Sequence, residues 1–170
     1  YMVSSGLIDR IDVSHFRLSV HLLLAFIILS LVFWNYLKVS KFNDVLDKLN
    51  PLIPFSFLIL IFFQISIGAF VSGMDAGKIY NTWPLMGHTY FPNDNNMINL
   101  FNFSVFNEPS LVQFIHRNLA YIIGIFFLII IYKIYKNKMK DLYTSVNILG
   151  FFISLQIILG IFTIIYGAQL

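Results

Sequence analysis

Cysteine is absent from the 170 residues, which excludes a disulfide, a thiolate-bound metal and an iron–sulfur cluster within the chain. Charge is nearly as scarce. Only 11% of the residues are Asp, Glu, Lys or Arg against 58% hydrophobic, and the mean hydropathy is +0.79, too apolar for an ordinary water-soluble domain. The small cationic surplus, +3 with a pI near 9.1, is not gathered into a nucleic-acid patch. Its lysines sit in short loops beside apolar runs, where membrane orientation accounts for them, so no nucleic-acid partner is expected. No leader is visible in these residues. The chain opens on Tyr1 with no basic stretch followed by an apolar core, and we read this start as a cut in a longer protein.

What is present is long apolar runs. A helix needs about 20 mostly apolar residues to cross a hydrocarbon core of roughly 30 Å. Such runs occupy 18–37, 52–72, 111–132 and about 145–166. The second holds no charged residue, nor does anything from Leu142 onward, whereas the third is interrupted early by His116 and Arg117. The fold class read from this pattern is all-α, a polytopic bundle of membrane helices embedded in lipid.

The loops orient the spans. Lys38, Lys41 and Lys48 follow the first span, and Lys133, Lys136, Lys138 and Lys140 follow the third, marking both loops as cytoplasmic or matrix-facing. The segments 1–14 and 73–110 then face outward. The loop 73–110 is too long for a turn and is rich in Asn, Pro and aromatics, as in Tyr80-Asn81-Thr82-Trp83-Pro84, so we expect an ordered cap with a short interfacial helix.

The spans also repeat. His21-Leu22-Leu23-Leu24-Ala25 and His116-Arg117-Asn118-Leu119-Ala120 share the form H-x-x-L-A, while Gln64-Ile65-Ser66-Ile67-Gly68 and Gln156-Ile157-Ile158-Leu159-Gly160 share Q-I-x-x-G. An inward-running His helix alternates with an outward-running Gln/Gly helix, a duplicated architecture. Val3-Ser4-Ser5-Gly6 echoes Val71-Ser72-Gly73, so an earlier Gln/Gly helix is expected before Tyr1 and a further His helix beyond Leu170.

An ionisable side chain inside a span is costly unless it meets a cavity, a partner or a cofactor. His21 and His116 both stand a few residues from the outer end of an inward-running helix, at similar depth. Neutral imidazole is an axial ligand for heme iron, and a flat macrocycle needs small residues on the same helix face. Ala25 and Ala120 lie one turn on, with Gly124 a further turn along. Arg17 and Arg117 stand near the outer boundary, where guanidinium groups would meet heme propionates or, equally, lipid phosphates. Three uses of the histidines stay open on spacing alone: heme ligation, hydrogen bonding between helices, and proton or ion transport. His15 and His88 are read as ordinary polar surface.

Several stretches resemble the heme A synthase family in its mitochondrial and alphaproteobacterial branch. They are Tyr1-Met2-Val3-Ser4-Ser5-Gly6-Leu7, the segment from Val13 to Leu22, Gly68-Ala69-Phe70-Val71-Ser72-Gly73-Met74-Asp75-Ala76-Gly77, Tyr80-Asn81-Thr82-Trp83-Pro84-Leu85-Met86, and Val112-Gln113-Phe114-Ile115-His116-Arg117. The resemblance implies eight transmembrane helices in two similar four-helix halves. This chain would run from the end of the third helix through the seventh, with 1–50 closing the N-terminal half and 51–170 opening the C-terminal one.

It also implies an activity, the oxidation of a methyl group of heme O to a formyl to give heme A for cytochrome oxidase. By the same likeness His116 would be an axial ligand of a resident heme b and His21 would belong to the substrate heme site. Gln113, Arg117, Arg17, Ala120 and Gly124 would line the cofactor. The partner histidines and an acidic residue needed for chemistry would lie outside the segment, which alone is not expected to catalyse. Met86-Gly87-His88 departs from the family, which often places an acidic residue after that Met. Heme O synthase, oxidase assembly proteins and a second copy are the partners implied, with the electron donor unassigned. The setting implied is the bacterial cytoplasmic membrane, or the mitochondrial inner membrane in a eukaryote. Two other readings compete: a non-catalytic b-type cytochrome whose His21 and His116 share one heme, and a transporter or assembly factor whose intramembrane histidines only pack helices.

Overall fold

The computed structural model describes residues 14–40 and 49–167. The echo at Val3 to Gly6 and the lysines at 41 and 48 lie outside the described residues. Among the described residues the protein is helical, with four helices long and apolar enough to cross a membrane: α1 (His15–Val39), α2 (Leu52–Gly73), α3 (Pro109–Lys136) and α4 (Tyr143–Ile165). α1 and α3 extend two to four residues beyond their expected apolar runs at both ends, α4 begins two residues earlier than expected, and α2 matches its run to within one residue.

Local chemistry sets the ends. Pro109 occupies the first turn of α3, where its missing N–H has no partner to lose. Lys38 closes α1, and Lys133 and Lys136 close α3, cations placed at the negative end of each helix dipole. At the outer end of α2 the chain leaves the helix through Asp75, which adopts a left-handed conformation with φ 52°.

Packing is sequential. α1 lies along α2, α2 lies between α1 and α3, and α4 leans on α3 over a shorter seam. Ser19 is the only buried residue of α1 and Val146 the only one of α4, so most of the apolar surface of both helices faces outward. Such faces are stable in hydrocarbon, where backbone polar groups are satisfied within each helix. The seams are therefore what define the bundle. One apolar core gathers Phe57, Ile123, Phe127, Ile130, Ile134, Met139 and Val146 toward the lysine-bearing side, and a second gathers Ile67, Phe70 and Val112 toward the outer side.

The outer loop is an ordered cap. It contains short 3-10 turns at Ala76–Lys78, Met97–Phe101 and Phe103–Asn107, and its Trp83-Pro84 peptide is cis. Buried Met86 donates its backbone N–H to the Thr89 carbonyl at 2.7 Å, and Thr82 Oγ1 accepts from the Gly87 N–H at 2.7 Å.

Candidate functional site

α2 presents Gln64 and Gly68, one turn apart, to α3. The ring of His116 lies over Gly68 so closely that a Cβ there would stand 3.2 Å from its Cε1. Gln64 Nε2 donates to the His116 carbonyl at 3.3 Å and lies 3.3 Å from the ring Nε2. The carbonyl can only accept, so the near atom of the amide is its nitrogen, and Nε2 of the imidazole must then be the acceptor. Nδ1 carries the proton in the neutral ring and is buried without a partner, as is Gln64 Oε1. His116 thus offers a lone pair on Nε2, the state in which imidazole binds iron.

His21 is placed differently. It is exposed on α1, with exposed Ala25 one turn further in and half-buried Arg17 one turn before it. Depth can be read across α2. Ser19 Oγ lies 2.7 Å from Ser66 Oγ, and Ser66 stands midway between Gln64 and Gly68, which hold His116. His21 is therefore displaced from the His116 level by only two residues, roughly 3 Å along a helix. The two imidazoles share a depth but not a cavity, since α2 stands between their helices.

The polar residues around His116 on α3 serve the cap. Arg117, 6% exposed, donates from Nη1 to the carbonyls of Thr82 at 2.8 Å and Leu85 at 3.3 Å, and from Nη2 to the carbonyl of Tyr80 at 2.8 Å. Gln113 Nε2 adds a second donor to the Tyr80 carbonyl at 3.0 Å. Arg117 Nε and Gln113 Oε1 remain buried without partners. Trp83 Nε1 donates to Tyr121 Oη at 2.9 Å, and Tyr90 Oη donates to Asn118 Oδ1, which ties the loop to the next turn of α3. Tyr80 Oη donates to Asp94 at 2.9 Å. Partial burial, followed by that carboxylate, holds its hydroxyl above the ordinary phenol range. Ala120 is half-buried, and Gly124 faces α4, a Cβ there standing 3.9 Å from Ile157 Cδ1.

A model of the COX15-CtaA family, described as cytochrome oxidase assembly protein, matches residues 1–170. The chain belongs to this family. It is 47% identical over 170 residues to the heme A synthase of Pelagibacter ubique strain HTCC1062, a match covering 100% of this chain and 50% of that protein. It is 37% identical over 173 residues to the heme A synthase of Rickettsia bellii strain RML369-C, covering 98% of this chain and 51% of the relative. The heme A synthase of Flavobacterium johnsoniae is 37% identical over 175 residues, covering 100% of this chain and 51% of the relative. The chain thus spans about half the length of these curated relatives. No solved structure matches it.

The orphaned Nδ1–H and an unprotonated Nε2 give His116 the chemistry of an iron ligand for heme, although that Nε2 accepts from Gln64 here. The open cleft expected beside it is not present, because Gly68 lets α2 close on the ring and Gln64 stands at Nε2. A macrocycle could meet that nitrogen only where the Gln64 amide now lies. His21 has open surface and a small neighbour beside it, and fits a substrate heme on steric grounds.

Three residues escaped the sequence reading. Gln64 and Gly68 were visible as a repeat, but which side chain they held was not. His15 is not plain surface: its ring contacts Phe16 and Phe70 at centroid distances of 4.5 and 5.4 Å, and its Nε2 is buried without a partner. The signal was Gly73, where a Cβ would lie 3.0 Å from the His15 Cα. His88 is exposed, as expected.

Proposed function

We propose that this chain is the central portion of a heme A synthase, with 1–50 completing its N-terminal half and 51–170 forming most of its C-terminal half. The whole protein would oxidise a methyl group of heme O to a formyl, yielding heme A for cytochrome oxidase. The single observation that carries the reading is His116 itself, an intramembrane imidazole whose Nε2 is the unprotonated nitrogen, in a chain at 47% identity to a protein of that name.

In this reading His116 would hold a resident heme b through its imidazole, with the Gln64 amide giving way, and His21 would belong to the substrate heme site. A bound heme supplies redox chemistry at its iron. The residues of this chain bind, orient and exclude water. Gln64 meets His116 on α2, and Ala120 keeps the helix face low. Arg117 and Gln113 hold the cap over the outer end of α3, and half-buried Arg17 would stand on the propionate side of the His21 site. The exposed apolar side chains of α1 and α2 suit a prenylated substrate arriving from lipid. The setting would be the bacterial cytoplasmic membrane, with a mitochondrial inner membrane as the eukaryotic counterpart. Heme O synthase or oxidase assembly proteins would be its neighbours.

The test is a pair of substitutions in the full-length protein. His116→Ala should remove most of the b-type absorbance of the purified protein. His21→Ala should leave that absorbance and cut heme A formation at least tenfold, measured by pigment extraction. The Gln64 contact favours one other reading, in which His116 only joins α2 to α3. It predicts unchanged heme content in His116→Ala, and that result would displace the heme proposal. A single heme shared by His21 and His116 is disfavoured because α2 intervenes.

A further inference from the structure

One stretch of the outer loop is apolar on both of its sides. The charged side chains of the cap, Asp75, Lys78 and Asp94, all come before residue 95, and from Asn95 to Asn107 there is none until Glu108 closes the loop. Over that stretch two 3-10 turns, Met97–Phe101 and Phe103–Asn107, join at extended Asn102. Val105 is buried, and Leu100 and Phe106 are half-buried. The uncovered side is apolar as well, with Met97, Ile98, Phe101 and Phe103 65%, 76%, 91% and 78% exposed. A loop standing in water would bury one side and present polar groups on the other.

The segment also lies beside the spans instead of above them. Phe106 packs on Phe70, ring centroids 5.5 Å apart, and joins the cluster of Ile67 and Val112. Ile67 stands six residues, roughly 9 Å, inside the outer end of α2 at Gly73. Leu100, Phe101 and Phe103 wall a groove whose other side includes Phe63 of α2 and Leu119 of α3. Phe63 is 58% exposed, so the groove continues the apolar surface that α2 turns to lipid. Within the segment, the Asn102 N–H donates to the Asn99 carbonyl at 3.3 Å and the Val105 N–H to the Asn102 carbonyl at 3.0 Å, while Asn99 Nδ2 donates to Asn95 Oδ1 and Asn95 Nδ2 to Ser110 Oγ. Short turns satisfy a backbone less completely than a spanning helix does, which suits the headgroup boundary and not the hydrocarbon centre.

We propose that the segment 97–106 is seated in the bilayer leaflet on the cap's side, with Phe101 and Phe103 among phospholipid acyl chains at the mouth of the groove. Lipid is the occupant because the segment carries no charge, lies level with the last turns of α2, and extends that helix's lipid-facing surface without a break. The cap is then fastened from two directions, by Arg117 from within the bundle and by hydrocarbon from outside it. The seat holds whether or not heme is bound, and its failure would leave the proposed activity standing.

The test uses the full-length protein in a cysteine-free background, reconstituted into phospholipid vesicles and carrying one nitroxide label at a time. Phe101→Cys and Phe103→Cys are compared with Leu128→Cys, 64% exposed in mid-span on α3, and with Asn93→Cys in the exposed cap. All four positions are exposed, so labelling opens no cavity and the Tm should stay at that of the parent. Molecular oxygen concentrates in hydrocarbon and a water-soluble nickel chelate does not. The ratio of collision rates with oxygen and with the chelate should be about tenfold higher at residues 101 and 103 than at 93, and close to that at 128. Either label matching the Asn93→Cys reference would place the segment in water and overturn the proposal. Either label shielded from both reagents overturns it too, since a second copy or another part of the chain would then be the cover.

Discussion

Arg117 spends its charge on backbone. Its guanidinium fork reaches three loop carbonyls, a geometry a lysine ammonium cannot reproduce from one point. Removing it leaves the Thr82 carbonyl without that donor, the Leu85 carbonyl with the Thr82 hydroxyl alone and the Tyr80 carbonyl with Gln113 alone, in a partly buried setting. Arg117→Gln should therefore destabilise the protein by roughly 2–4 kcal/mol, on the scale of lost charge-assisted hydrogen bonds. The check is a lowered Tm together with faster proteolysis of the outer loop. Unchanged loop protection would mean that the fork is not what fastens the cap. That role was not legible in the sequence, where an arginine beside an intramembrane histidine looked like a propionate contact. The carbonyls it serves come from Tyr80, Thr82 and Leu85, far earlier in the chain, and no local pattern announces such an encounter.

At the scale of elements, two close approaches set the α1–α2 seam. Ser19 meets Ser66 by hydrogen bonding, and Gly73 admits the His15 backbone to within 3.0 Å of where a Cβ would stand. Backbone at that distance cannot yield as a flexible side chain can. Gly73→Val should push the start of α1 away and cost about 1–3 kcal/mol, typical of overpacking. Ser19→Ala should cost about 1 kcal/mol, the net worth of one hydrogen bond. Both are read as shifts in thermal unfolding, and a neutral Gly73→Val would show that the helix ends are not in contact. The helices themselves were readable, since unbroken apolar runs long enough to span a bilayer leave the backbone no alternative to internal hydrogen bonding. Their pairing was only partly so. The Q-I-x-x-G repeat flagged Gly68 as special, yet His116 as the ring above it emerged only when α2 and α3 were brought together.

For the molecule as a whole, lysine placement predicts that the outer loop 73–110 and the turn after α3 face opposite sides of the membrane. Asn93 lies in the exposed outer cap and Asn137 in the lysine-rich turn after α3, at opposite ends of the bundle. In intact cells, a membrane-impermeant maleimide should label Asn93→Cys strongly and Asn137→Cys only after permeabilisation. The reverse pattern would invert the topology and place His21 and His116 near the wrong leaflet.

Fold class, span positions and the two histidines at common depth within spans were legible in the sequence alone. Each depends on transfer of side chains and backbone between water and hydrocarbon, a local property that adds along the chain. Which groups face one another is a property of pairs distant in sequence. Tertiary structure alone decided that α2 separates His21 from His116, that Gln64 rather than open space meets the Nε2 of His116, and that Arg117 holds the loop. Those outcomes turn on contacts within a few ångströms between helices, and hydropathy carries no record of them.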